Sequence, residues 1–301
     1  MIRLFILLPL LCASALRAPA VFAIDWPSKD AVMISNFGAS DIGRPALGDT
    51  FRAEGTLSAI EKGEIIFSGG ATAPAARFTS PLGAMTVLDH GDGIMSIYSR
   101  IEAARPAPQN LVSAGEVIAK AGVSGWSKTN GFYLSIFDRK DRRWVNPSLV
   151  IPALPDTRPP VIRSVKLKNS ENQMIDLAAV RVVKQGVYTI IVHAEDITDN
   201  VNPPLMPMRI ICSVNGVEAG VLAFETFSAR DGVLMMFRNG LMPVSQIYAY
   251  PPAVEAGVVF FSRGQVTLEI IVQDIAALLS SSTTQPDGSN SRRAFYRLFI
   301  E

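Results

Sequence analysis

The chain has 301 residues, 49% hydrophobic and 18% charged, enough apolar material for one large or two ordinary packed cores, which argues against a disordered chain. Its 28 basic side chains against 27 acidic ones leave a net charge of +1 with no long basic run. Nothing in it points to nucleic acid, whose binding relies on clustered Lys and Arg.

The first 23 residues, MIRLFILLPLLCASALRAPAVFA, join Arg3 to an apolar run from Leu4 to Leu11 and then to small residues ending in Val21-Phe22-Ala23. This pattern predicts a secretory signal over residues 1–23, cleaved after Ala23. The apolar run is shorter than the roughly 20 residues that span a bilayer. The expected location is therefore exported, in the periplasm or cell envelope, with no transmembrane segment after cleavage. Of the two cysteines, Cys12 lies in the signal, where lipid attachment is the minor alternative. Cys212, in MRIICSV, alternates with apolar neighbours and predicts a buried strand thiol, so the mature chain has no partner for a disulfide.

After the signal, glycine-punctuated apolar runs follow one another: GTLSAIEKGEIIFSGG, GAMTVLDHGDGIMSIYSRI, LVSAGEVIAKAGVSG and GFYLSIFD. Period-two alternation between turn residues predicts short strands. The segment IPALPDTRPPVI, Ile151 to Ile162, is punctuated by prolines and predicts a linker at 153–160. Beyond it come VIRSVKLKN, AAVRVVKQGVYTIIVHAEDI, MRIICSVNGVEAGVLAFETF, VVFFSRGQVTLEIIVQDIA and RRAFYRLFIE, richer in β-branched residues. The fold class expected is all-β: a first domain at 24–152 and, at 161–301, an immunoglobulin-like β-sandwich of about seven strands. The stretch SSSTTQPDGSNSRR predicts a loop before a final strand that pairs within the sandwich.

From Phe37 to Pro152 the first half resembles the lysostaphin-type zinc metallopeptidases that cut peptidoglycan cross-bridges, also called LytM-type or duplicated-hybrid-motif domains. GTLSAIEKGEIIFSGG resembles that family's first strand pair, and GAMTVLDHGDGIMSIYSRI its hairpin, with His90 at a noncatalytic turn position. LVSAGEVIAKAGVSGWSKTNGFYLSIFD resembles the segment that ends in the family's H-x-H, and WVNPSLVI its closing strand. The resemblance implies a lysostaphin-like barrel-sandwich hybrid. Family chemistry needs zinc held by an H-x-x-x-D pair and the second His of H-x-H, with two further histidines for the oxyanion and the proton. This sequence departs from it at each place. Pro45 stands where the ligand His belongs, with Asp49 the remnant of the ligand Asp; Ser99 and Tyr133 replace the two catalytic histidines, and Ser135 the third ligand.

Neutral hydroxyls are poor zinc ligands beside imidazole. The expectation is a degenerate member, not an enzyme, with no cofactor; zinc returns only if ligands lie elsewhere. A new serine nucleophile at Ser99 or Ser135 lacks an aligned base. Ser99, Tyr133, Ser135, Asp49 and Trp126 are the candidates for a binding groove, against the alternative that side chains fill the space. Trp144 is read as packing. The run FDRKDRRWVN reads as a solvated turn, with contact to anionic polymers the lesser alternative. In the second half His193 reads as structural, and Glu195, Asp196 and Asp199 in HAEDITDN as a polar strand-end loop, because the spacing lacks an EF-hand's alternating ligands. The function expected is that of a non-catalytic envelope protein that binds peptidoglycan or a wall hydrolase. The alternatives are an active endopeptidase with unaligned ligands and an adaptor that binds through its C-terminal sandwich.

Overall fold

The computed structural model describes residues 24–41, 44–70, 80–102, 110–154, 156–199, 203–280 and 290–301. The signal expected at 1–23, with Cys12, and most of the loop expected before the last strand lie outside the described residues. Strands dominate the rest, with short helices at Val244–Ile247 and Ile275–Ser280 and a single 3-10 turn at Pro147–Leu149. Among the described residues no helix is long and apolar enough to cross a membrane.

Alternation builds both halves. In Ala84–Asp89 the residues Ala84, Thr86 and Leu88 face inward and their neighbours outward. Gly264–Gln273 does the same with Val266, Leu268, Ile270 and Val272. Each large aliphatic side chain so buried contributes about 1.5–3 kcal/mol, and two clusters collect them. The first gathers Phe51, Leu88, Tyr98, Phe132, Leu134 and Ile136. The second fills a sandwich between two sheets. One sheet has four strands in the order Met174–Asp176, Val161–Asn169, Gly186–Glu195, Val254–Phe261. The other includes Ser291–Ile300, Gly264–Gln273, Arg209–Val214 and Val217–Arg230. Cys212 lies fully buried between them, and burial pushes its thiol up to about 12.

The two halves share backbone and side chains. Arg143–Val145 pairs on one side with Ile136–Asp138 and on the other with Thr226–Ser228, so a single sheet runs from the first half into the second. Trp144 packs on Phe137 at 5.0 Å and on the second core. Phe37, from the first half, is fully buried in the second core at 4.8 Å from Phe227, while Leu205 reaches back into the first. Polar groups follow: Asn36 and Met206 exchange two hydrogen bonds of 2.7 and 2.8 Å, and the Tyr248 hydroxyl donates to the Gly38 carbonyl at 2.6 Å. The linker is pinned as well, with the Thr157 N–H and hydroxyl both donating to the Asp199 carboxylate at 2.9 and 2.7 Å.

Candidate functional site

The strand Gly131–Asp138 carries Tyr133 and Ser135. Its central place follows from its neighbours, since it pairs with Asp49–Arg52, Ile94–Ser99 and Arg143–Val145. Gly131 is required there: a Cβ on it would lie 1.8 Å from the Phe51 carbonyl oxygen. Two residues apart, Tyr133 and Ser135 point to one face, and Ser99 stands opposite Tyr133 on the adjacent strand.

The structure brings Asp49, Ser99, Tyr133 and Ser135 together and closes over most of them. The Ser135 hydroxyl donates to the Leu47 carbonyl at 2.6 Å. Burial, with the Asp49 carboxylate nearby, raises the pKa of Tyr133 above the usual phenol range. Gly48 lies close to the hydroxyl-bearing end of the ring, leaving no room for a side chain: a Cβ there would lie 2.9 Å from Cζ of Tyr133 and 2.2 Å from the Leu134 carbonyl oxygen. Arg100, in the left-handed region at φ 60°, sets its guanidinium 5.2 Å from the ring centroid. Asp49 is 0% exposed; one oxygen accepts the Phe37 N–H at 2.7 Å and the other has no partner. Burial pushes this carboxyl up to about 7, against the lowering effect of the Phe37 bond.

These donors do not fit a zinc ion in the family's manner. The Ser135 hydroxyl is tied to the Leu47 carbonyl and burial keeps the Tyr133 phenol protonated, so neither supplies what an imidazole nitrogen would. Pro45 is buried in a two-residue ladder opposite Ser40. Neither histidine joins the cluster. His90 bonds the Lys62 carbonyl through Nδ1 and the fully buried Ser96 hydroxyl through Nε2. His193 lies 3.3 Å from Glu195, which also holds Arg163. Ser99 is buried with its hydroxyl unpartnered, so no base meets it. Of the five groove candidates, Asp49, Ser99 and Ser135 are buried, which narrows the surface they offer to Tyr133 and Trp126. Trp126 is 70% exposed on a neighbouring loop, its backbone N–H on the Pro81 carbonyl. The turn Arg139–Arg142 is an exposed loop in which Asp138 accepts the Lys140 and Asp141 N–H groups.

The first half also has an open groove of about 480 Å³, lined by Glu54, Glu102, Lys120 and Asn130, none of which belongs to this cluster. A different group of carboxylates, Asp156, Asp196 and Asp274, converges at the junction of the halves. Sequence reasoning had no signal for it, because the three lie on separate segments and only folding joins them. Glu195 and Asp199, read with Asp196 as one polar loop, turn elsewhere, to Arg163 and to Thr157.

Residues 48–147 match the family model described as Peptidase family M23. A second model, which carries no description, matches residues 159–285. No curated protein sequence matches the chain. Similar solved structures include a catalytic domain of the prophage-encoded M23 protein EnpA from Enterococcus faecalis, 19% identical, covering 39% of this chain and 87% of that one with a TM-score of 0.33. A putative peptidase M23 from Pseudomonas aeruginosa is 20% identical, with 46% and 54% covered and a TM-score of 0.36; this chain thus spans about half of that protein. The catalytic domain of lysostaphin from Staphylococcus simulans is 18% identical, with 36% and 77% covered and a TM-score of 0.29. Over residues 48–147 the chain carries a domain similar to peptidase family M23.

Proposed function

We propose that this chain is a non-catalytic, exported protein of the cell envelope whose M23-type domain binds peptidoglycan or a wall hydrolase without cutting. The observation that carries this reading is the Tyr133–Ser135 pair: the Ser135 hydroxyl donates to the Leu47 carbonyl at 2.6 Å and burial keeps the Tyr133 phenol protonated, so neither offers a good metal ligand at the positions aligned with the family's histidines. Ser99 has no base, so acyl transfer through it lacks a proton acceptor. What remains for recognition is surface: the Tyr133 and Arg100 faces, the exposed Trp126 ring and the groove at Glu102, Lys120 and Asn130. Aromatic faces beside hydrogen-bonding groups suit glycan or peptide contact.

The test incubates the purified chain, loaded with zinc and dialysed, with purified peptidoglycan and with candidate wall hydrolases. The expected result is less than stoichiometric zinc by mass spectrometry, no release of soluble fragments, and either co-sedimentation with peptidoglycan that Trp126→Ala weakens, or stimulation of a hydrolase. Zinc at one per chain with fragment release overturns it.

A second reading, an adaptor that binds through the sandwich, is favoured by an exposed apolar row. Val187 pairs with Phe260, both are about half exposed, and Val258 lies two residues along the same strand. Phe260→Lys separates the two: it abolishes partner capture in the adaptor reading and leaves peptidoglycan binding intact in the first.

A further inference from the structure

Three acidic residues from three distant segments meet where the halves join. Asp156 belongs to the linker, Asp196 follows the strand Gly186–Glu195, and Asp274 lies between the strand Gly264–Gln273 and the helix Ile275–Ser280. One carboxylate oxygen of each lies within 4.8 Å of the others. Asp196 is 6% and Asp274 1% exposed. Their other bonds hold them in place: Asp156 accepts the N–H groups of Arg158 and Asp199 at 3.2 and 3.1 Å, and Asp274 accepts that of Ala277 at 2.8 Å.

What these bonds leave over is unusual. Oδ1 of Asp196, Oδ2 of Asp274 and the hydroxyl of Thr198 are all buried without a hydrogen-bond partner. Asp156, Asp196 and Thr198 line one small cavity of about 60 Å³, together with Trp26 and Asn36, which is room for an ion and a few waters. Elsewhere in the second half a buried carboxylate has its cations: Glu255 sits 2.7 Å from Lys168 and 3.8 Å from Arg238. Among the described residues, no ion pair reaches any of the three aspartates.

We propose that Asp156, Asp196 and Asp274, with the Thr198 hydroxyl, bind a calcium ion that fastens the linker to both halves. The donors are all oxygens, which suits a hard cation and disfavours zinc. Carboxylate oxygens within 4.8 Å of one another are compatible with calcium–oxygen distances of about 2.3–2.6 Å, and calcium takes protein oxygens more readily than magnesium, which dehydrates reluctantly and keeps several waters. Without an ion, burial and the neighbouring carboxylates push Asp196 up to about 8, and burial pushes Asp274 up to about 6. The ion replaces those protons and satisfies the orphan oxygens together. Its position next to the bridge between Asp196 and Leu205 couples it to the first core, into which Leu205 packs.

The test uses the full mature chain, freed of metal by EDTA. Terbium emission excited through tryptophan reports the site directly, since Trp26 lines the same cavity. Expected are sensitised emission that calcium displaces and magnesium does not, and a thermal midpoint raised by about 5 °C at calcium a hundred-fold above its Kd. Asp196→Asn and Asp274→Asn are expected to lose both effects. Should one variant fail to fold, the other and the terbium titration of the unmodified chain still decide. A midpoint indifferent to calcium with no sensitised emission, or a calcium shift that persists in either folded variant, overturns the proposal. Loss of this site leaves the reading of the M23-type domain untouched, because peptidoglycan binding is measured separately.

Discussion

Asp49→Asn probes the closed cluster most directly. In the native chain the carboxyl is pushed from 3.8 up to about 7, chiefly by burial, so the folded state holds a proton that the unfolded state releases. A raised acid makes stability fall as pH rises from about 4 to about 7, with the penalty fully in force above that window. At about 1.36 kcal/mol per pH unit, the interval bounds the loss at about 4 kcal/mol. Asparagine keeps an acceptor for the Phe37 N–H, held at 2.7 Å in the native chain, but has no proton to lose. The assay is equilibrium urea unfolding of both proteins from pH 4.5 to 8 in EDTA. Asp196 and Asp274 titrate alike in both, so the difference isolates Asp49. Across the assay's range, which begins above the unfolded pKa, the variant's stability curve is expected to be flatter by about 3 kcal/mol. Parallel curves would refute the assignment of Asp49 as a buried, proton-holding acid.

Gly131→Ala places a methyl 1.8 Å from the Phe51 carbonyl, against backbone that cannot rotate away. It is expected to cost about 3 kcal/mol or more, read as a lower urea midpoint; an unchanged midpoint counts against the register drawn for this strand. Phe37→Ala removes a fully buried ring from the second core while altering a first-half residue. The expected loss is about 3–5 kcal/mol, with one calorimetric transition moving down as a unit. Two transitions of which one stays fixed would show that the halves unfold independently.

Much of the fold was legible because it rests on local rules. Alternation in GAMTVLDHGDGIMSIYSRI and in GQVTLEIIVQ marks strands whatever their partners, and the proline-punctuated run marks an irregular connection. The resemblance that singles out Tyr133, Ser135 and Ser99 was legible for the same reason, as it rests on a motif of fixed spacing. Cys212 was read as buried from its neighbours alone, and the structure places it there.

Which strands face which depended on tertiary structure. Trp144 sits in a short strand that two longer ones capture, and the joined sheet reduces the independence that the linker suggested. Phe37 reads in sequence as one aromatic after a turn; only the approach of Phe227 assigns it to the second core. The aspartates at 156, 196 and 274 belong to three segments with nothing local in common, and their meeting is a consequence of chain path. Sequence thus determined the strands, their punctuation and the family resemblance, because periodicity and motif spacing act over a few residues. The closure of the Tyr133 cluster, the shared sheet and the acidic junction were decided by tertiary structure, because burial and electrostatic proximity are properties of residues that meet only once the chain has folded.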